Sequence, residues 1–155
     1  MVERIRVFTE KDPEREYRVI IGSDSEGYGN VEYVSAVVVH CVGVGGIAFI
    51  CKNVVNTSRS LRQKIYNETL ISLSLANEVV PLLTNALGEK FLQEELIIHI
   101  DVGQKGETKD MIKEIAGMAR GYGFRVATKP DSFAASNVAD RFARPPGKEA
   151  LAQSA

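Results

Sequence analysis

Three acidic residues stand at positions where an ionised side chain is costly unless it has a partner. Asp24 ends the apolar run IIGSD, and Asp101 ends the run IIHID. Glu68 lies between Ile65 and Ser72 on the apolar stripe of a predicted helix. Buried carboxylates need a compensating partner, and a divalent cation can serve several of them at once. The placement therefore predicts a metal site at the strand ends, where α/β folds usually build their sites.

Each of these acids also has an ordinary structural interpretation. An aspartate at a strand end often caps the turn that follows, which applies to Asp24 and to Asp101. Glu68 could pair with Arg62, Lys64 or another arginine, or turn toward water. Each interpretation stays open for an acid taken alone, and the metal site is favoured because the three placements coincide.

A fourth acid and a histidine are further candidates. On the predicted last helix, Asp140 points away from the core stripe, and Asn137 lies one turn earlier on the same side. A plain surface carboxylate is the alternative for Asp140. Asp131 competes for the role, although its position after a proline suits the N-cap of that helix. His99 shares strand parity with Asp101 and could line the site or be an ordinary core histidine.

The chain order that must position these residues is β-β-β-α-β-α-β-α. β-branched and apolar runs predict the strands, which are Tyr17–Asp24, Val31–Val42, Ile47–Val55, Leu96–Val102 and Phe124–Thr128. A helical period follows Ser60, which forms a capping-box pattern with Gln63. Pro81 predicts a kink or an end near Val80, and Gly88 would close any continuation. The later helices are predicted over Thr108–Arg120 and Ser132–Ala143.

This order predicts an α/β fold with a five-stranded mixed sheet. The first three strands are joined by short turns and form an antiparallel meander, whereas strands joined through helices pair in parallel. The 155 residues suit a single domain over residues 1–155. We expect its core at about residues 17–144, with residues 1–16 and 145–155 peripheral.

Composition excludes several classes of protein. The chain is 45% hydrophobic and 25% charged, which is typical of a globular domain rather than a disordered polymer. It has no apolar run long enough to span a membrane, and its charged N-terminus is unlike a secretory signal. Two cysteines are too few for a disulfide framework. The net charge of -1 gives no global basic field for nucleic acid. We expect a soluble cytoplasmic protein without membrane partners.

The element order and the acids together resemble the ribonuclease H-like superfamily. The segment Asp24–Asn30 (DSEGYGN) resembles the family's acid-then-glycine turn, although Ser25 stands where cellular ribonucleases H usually have glycine. Asp140–Arg144 (DRFAR) resembles the last-helix motif. More narrowly, IGSDS, HIDVG and KPDSFAASNVADRF resemble the YkuK-type branch, a group of predicted nucleases related to ribonuclease H. The resemblance covers about residues 17–144.

The resemblance implies catalysis by four carboxylates that hold two Mg²⁺ or Mn²⁺ ions. By its pattern, Asp24 would bridge both ions, and Asp101 and Glu68 would bind one of them. Asp140 would bind the other ion, with help from Asn137. Two such ions activate a water and stabilise the leaving 3′ oxygen of a phosphodiester.

Four basic residues are weaker candidates for contacts to substrate phosphates. They are Lys105, Lys109, Arg141 and Arg144. A solvated surface role is an equal alternative for each of them.

The function expected from the resemblance is hydrolysis of RNA or of an RNA–DNA hybrid by a metal-dependent nuclease. The first alternative is a structure-selective DNA nuclease such as a junction resolvase, which would be expected to form a homodimer. The second is a non-catalytic binding module that keeps the fold. Because all four acid positions are filled, the enzyme is favoured.

Overall fold

The computed structural model describes residues 1–25, 29–58, 60–88, 96–102, 108–129 and 131–132. The strands in these ranges are β1 (Tyr17–Ser25), β2 (Gly29–Cys41), β3 (Gly45–Ser58), β4 (Leu96–Ile100) and β5 (Arg125–Thr128). The α-helices are α1 (Val2–Glu10), α2 (Leu61–Leu87) and α3 (Ile112–Gly121), and a 3₁₀ turn at Lys109–Met111 precedes α3. The predicted helix over Ser132–Ala143 lies outside the described residues, apart from its first residue.

The strands form one mixed sheet in the order β3-β2-β1-β4-β5. β1 pairs antiparallel with β2, which pairs antiparallel with β3. β1 also pairs in parallel with β4, and β4 pairs in parallel with β5. This confirms the predicted α/β class and mixed sheet, and it places β1 at the junction of the antiparallel and parallel halves.

Side chains alternate between the two faces of the sheet, and this alternation positions the site. Val19 and Ile21 of β1 belong to the main core, which includes Leu73 of α2. Ile20 belongs to a second cluster on the opposite face, together with Val34 of β2. Because successive side chains point to opposite faces, the odd-numbered residues at the end of β1 face α2 and the even-numbered ones face away from it.

Helix α2 takes the longer of the two lengths that the sequence allowed. It does not end near Val80 but continues through Pro81 to Leu87, and Gly88 closes this continuation as predicted. Pro81 is exposed, whereas Val79 and Leu83 on the inner face are buried. Packing of that face therefore offsets the backbone hydrogen bond that proline removes. Gly88 ends the helix at a positive φ of 86°.

The start of α2 follows the predicted capping pattern. Ser60 is the N-cap, and its side chain accepts a hydrogen bond of 3.2 Å from the backbone N–H of Gln63. In the described part of the chain, α2 is also the one helix long and apolar enough to cross a membrane. A core helix passes the same test, and α2 has a face buried in the main core. We therefore interpret α2 as a core helix.

Helix α1 is an element that the sequence pattern did not predict. It has nine residues, and its Ile5 is fully buried in the main core. Arg6 forms ion pairs with Glu3 and Glu10 at i,i+3 and i,i+4 spacing. Its charged residues therefore stabilise a short helix that is anchored in the core by Ile5, with Val2 and Phe8 packed beside it.

Candidate active site

Two of the predicted acids lie side by side at the ends of neighbouring parallel strands. Gly22 of β1 pairs with His99 of β4. Asp24 and Asp101 each follow two residues later, so the same register places them opposite each other, with Asp101 just beyond the end of β4. Adjacent strands are about 4.8 Å apart, and the alternation of side chains puts both acids on the face away from α2. Both are half-buried.

Glu68 approaches the same strand ends from α2. Its side chain is buried, with 4% of the residue exposed. The Ser25 hydroxyl, at the end of β1, donates a hydrogen bond of 2.7 Å to Glu68 Oε1. The Lys64 ammonium lies 4.0 Å from the same oxygen. Among the described residues, the pairing left open by the sequence is therefore made by Lys64, because Arg62 instead pairs with Glu114 at 2.7 Å.

The charges of these groups act on one another. Burial raises the pKa of Glu68 to about 8, the hydrogen bond from Ser25 opposes this rise, and the negative charge of Asp24 adds to it. Lys64 lowers the pKa and Asp101 raises it, both more weakly. The three acids are thus close enough for Asp24 and Asp101 to disfavour ionisation of Glu68, which is the electrostatic situation that a bound cation relieves.

The described residues do not gather these acids into a formed metal cluster. No group of three or more His, Cys, Asp or Glu side chains in that part of the chain is close enough to hold a metal ion. Glu68 reaches the strand ends from one face of the sheet, whereas Asp24 and Asp101 occupy the other. The donor set itself suits Mg²⁺ or Mn²⁺, since these ions prefer carboxylate oxygens.

Asp101 has a lysine partner that the sequence analysis missed. The Lys129 ammonium lies 2.5 Å from Asp101 Oδ1. Lys129 is the first residue after β5, as Asp101 is the first residue after β4. The sequence could have indicated that each residue comes at the end of a strand. Only the register of β4 with β5 shows that the two side chains are in contact.

A chain of buried hydroxyl groups supports the strand ends from the α2 side. Ser23 Oγ lies 2.8 Å from Ser35 Oγ and 2.9 Å from Ser72 Oγ. Ser72 Oγ also lies 2.8 Å from the backbone carbonyl oxygen of Glu68. Because buried polar groups are costly when unpaired, these contacts fix β1 against the turn of α2 that carries Glu68. The sequence pattern had identified Ser72 only as part of the helix stripe.

His99 is buried on the same strand as Asp101. It is 5% exposed, and burial lowers its pKa to about 4, so the imidazole is neutral at neutral pH. Its Nδ1 has no hydrogen-bond partner among the residues that the structure describes. This burial agrees with the alternative that His99 is an ordinary core histidine.

The remaining predicted site residues divide into two groups. Lys109 is exposed in the 3₁₀ turn before α3, and Asp131 is exposed just after β5. The others lie outside the described ranges, and their roles stay predictions: Lys105, Asn137, Asp140, Arg141 and Arg144. The same holds for the choice between Asp131 and Asp140 as the fourth acid.

Comparison with known proteins agrees with this architecture. The chain matches the family described as Ribonuclease H-like over residues 1–144. It is 32% identical over 154 residues to the uncharacterized protein YkuK of Bacillus subtilis strain 168, covering 93% of this chain and 89% of that protein. No solved structure gives a significant match. The chain therefore belongs to the Ribonuclease H-like family.

Proposed function

We propose that this protein is a metal-dependent nuclease that hydrolyses phosphodiester bonds of RNA or of an RNA–DNA hybrid. Membership of the Ribonuclease H-like family suggests a nuclease-type function and nucleic-acid binding. The observation that carries the proposal is the position of Glu68. It is a buried carboxylate, next to a hydroxyl donor, within the electrostatic reach of two acids at parallel strand ends.

The acids of this chain would act as ligands for Mg²⁺ or Mn²⁺. Asp24 and Asp101 on adjacent strands, together with Glu68, supply the carboxylate oxygens, and Asp140 is our candidate for the fourth. When bound, two such ions activate a water and stabilise the leaving 3′ oxygen. Ser25 would hold one oxygen of Glu68 through its 2.7 Å hydrogen bond, which leaves the other oxygen for a ligand. The buried hydroxyl chain would hold β1 and α2 in a fixed position relative to each other during the reaction.

Cleavage of a labelled nucleic-acid panel tests the proposal. The panel holds single-stranded RNA, RNA–DNA hybrid, duplex DNA, single-stranded DNA and a four-way junction, each with Mg²⁺ or Mn²⁺. We expect the wild type to cut RNA or the hybrid, and Asp24→Asn, purified identically, to lose at least about 100-fold in rate, as loss of a group that stabilises the transition state predicts. Glu114→Gln, which changes an exposed carboxylate on α3, is the matched control and should keep its activity.

Each other result has a defined meaning. Equal cutting by the wild type and by Asp24→Asn would show a contaminating nuclease. Asp24-dependent cutting of the junction alone would favour the structure-selective DNA nuclease. No cutting, together with no Asp24-dependent binding of Mn²⁺, would contradict the proposal and favour a non-catalytic module.

A further inference from the structure

Lys129 completes a row of charged residues across the ends of the three parallel strands. Ile100 of β4 pairs with Thr128 of β5, so the next residues in the same register, Asp101 and Lys129, are neighbours. Asp24 occupies the matching place on β1, two residues beyond the pair of Gly22 with His99. Parallel strands end at the same edge of a sheet. Along this edge the charged residues are Asp24, Asp101 and Lys129, which are two acids followed by a cation.

The backbone around Lys129 is held in place. The backbone N–H of Lys129 donates to the Val102 carbonyl at 3.0 Å. The hydroxyl of Ser132, a buried residue, donates to the Ile100 carbonyl at 3.0 Å. These hydrogen bonds tie the segment after β5 to the end of β4, so Lys129 stays beside the acids whatever its side chain contacts.

The side chain of Lys129 is less restrained than its backbone. Its ammonium lies 2.5 Å from Asp101 Oδ1, yet 58% of the side chain is exposed, compared with 31% for Asp101. An exposed ion pair contributes little to stability, so replacing one partner costs little. The ammonium neutralises the carboxylate oxygen that a metal ion on Asp101 would need.

We propose that Lys129 binds a phosphate of the nucleic-acid substrate, and that Asp101 holds its ammonium at the strand ends until a metal ion takes its place on Asp101. This inference rests on the proposed function, because it needs a metal on Asp101. A lysine ammonium is a compact point charge that suits a phosphate oxygen. Its flexible stem lets it move from the carboxylate to the phosphate while its backbone stays fixed.

Titration calorimetry with Mn²⁺ alone tests the first half of the proposal. Lys129→Met keeps the length of the side chain and removes its charge, so Mn²⁺ no longer has to displace an ammonium. We expect its Mn²⁺ affinity to rise about two- to fivefold, the range that an exposed ion pair predicts. Lys113→Met, an exposed lysine on α3, is the matched control, and Asp24→Asn identifies binding that depends on the acids.

Steady-state kinetics on the nucleic acid that the wild type cleaves tests the second half. We expect Lys129→Met to raise KM on the order of tenfold with a smaller change in kcat. The salt dependence of binding should fall by about one unit of slope, as the loss of one phosphate contact predicts. Lys129→Arg keeps the charge and should restore most of the binding.

The outcomes separate this inference from the proposed function. A rise in Mn²⁺ affinity together with weaker substrate binding in Lys129→Met supports the inference. Either change without the other overturns it, and so does a Lys129→Met protein that behaves like Lys113→Met, while Asp24-dependent Mn²⁺ binding leaves the proposed function intact. If the wild type binds no Mn²⁺ through Asp24, both are wrong.

Discussion

At the scale of single residues, Glu68 is an acid whose surroundings oppose its ionisation. Burial and the charge of Asp24 favour the protonated carboxyl, and burial is the largest influence on a pKa of about 8. Ser25 and Lys64 favour the ionised form but do not offset the burial. Such an acid adds little to the stability of the fold, which is expected of a residue kept for function rather than for packing.

Replacing Glu68 by glutamine should therefore change how stability depends on pH. The folded pKa of about 8 exceeds the ordinary value of 4.5, so the folded state binds the proton more tightly than the unfolded state. Without added metal, the titration of Glu68 should make the free energy of unfolding fall as pH rises from about 4.5 to about 8, whereas His99, whose pKa is lowered from 6.5 to about 4, opposes this fall below about pH 6.5. The net fall of the wild type should therefore appear between about pH 6.5 and 8, on the order of 2 kcal/mol. Glu68→Gln should lose this slope in urea unfolding at a series of pH values.

The control for this prediction is Glu78→Gln, since Glu78 is an exposed carboxylate on the same helix. It should retain the slope of the wild type. A wild-type protein whose stability is flat between these pH values would show that Glu68 is ionised in the folded state and that its environment is more polar than the structure indicates.

The sequence predicts which residues form this site better than it predicts their contacts. Asp24, Glu68 and Asp101 could be selected because each is an acid in an apolar run. The partners of two of them, Ser25 for Glu68 and Lys129 for Asp101, depend on which faces and strands meet. The register of the strands determines these contacts, and the periodicity within a single element cannot predict them.

At the scale of elements, local patterns predicted the strands well and the helix ends less well. The β-branched runs placed all five strands within a few residues, because runs of Val and Ile pack well on the pleated surface of a sheet. The sequence named Gly88 as the later limit of α2, but it could not decide between that limit and an end near Val80, because the tertiary contacts of Val79 and Leu83 decide it. Helix α1 was missed although Val2, Ile5 and Phe8 recur at helical spacing and pack on the core, because this charged segment was considered only as a possible signal.

The continuation of α2 through Pro81 gives a prediction at this scale. Pro81→Ala would restore the backbone N–H that can donate to the carbonyl of Asn77, four residues earlier. The gain is partly offset because alanine gives the unfolded chain more freedom than proline. We expect a net stabilisation of about 1 kcal/mol in urea unfolding. Glu78→Ala, another exposed position of the same helix, should change stability by less than about 0.5 kcal/mol. A destabilised Pro81→Ala would show that the helix depends on the local geometry that proline imposes.

At the scale of the whole molecule, the candidate site lies in the parallel half of the sheet and on the helix that covers it. Asp24 lies at the end of β1, Asp101 and Lys129 directly follow β4 and β5, and Glu68 comes from α2. The antiparallel strands β2 and β3 lie on the other side of β1. They contribute a buried hydroxyl, Ser35, to the chain of contacts that supports the site.

Under the proposed function, this arrangement would link metal binding, protonation and folding. Because Glu68 has a pKa of about 8 in the metal-free protein, it must lose a proton before its second oxygen can bind a metal ion. Calorimetry of Mn²⁺ binding near neutral pH, in buffers that differ in ionisation enthalpy, should show release of about one proton by the wild type. Glu68→Gln should release almost none, and the apparent affinity of the wild type should rise as the pH approaches about 8. Mn²⁺ at 100 times its Kd should then stabilise the fold by about 2.7 kcal/mol. Binding whose heat is the same in every buffer would mean that Glu68 is already ionised or takes no part in holding the metal.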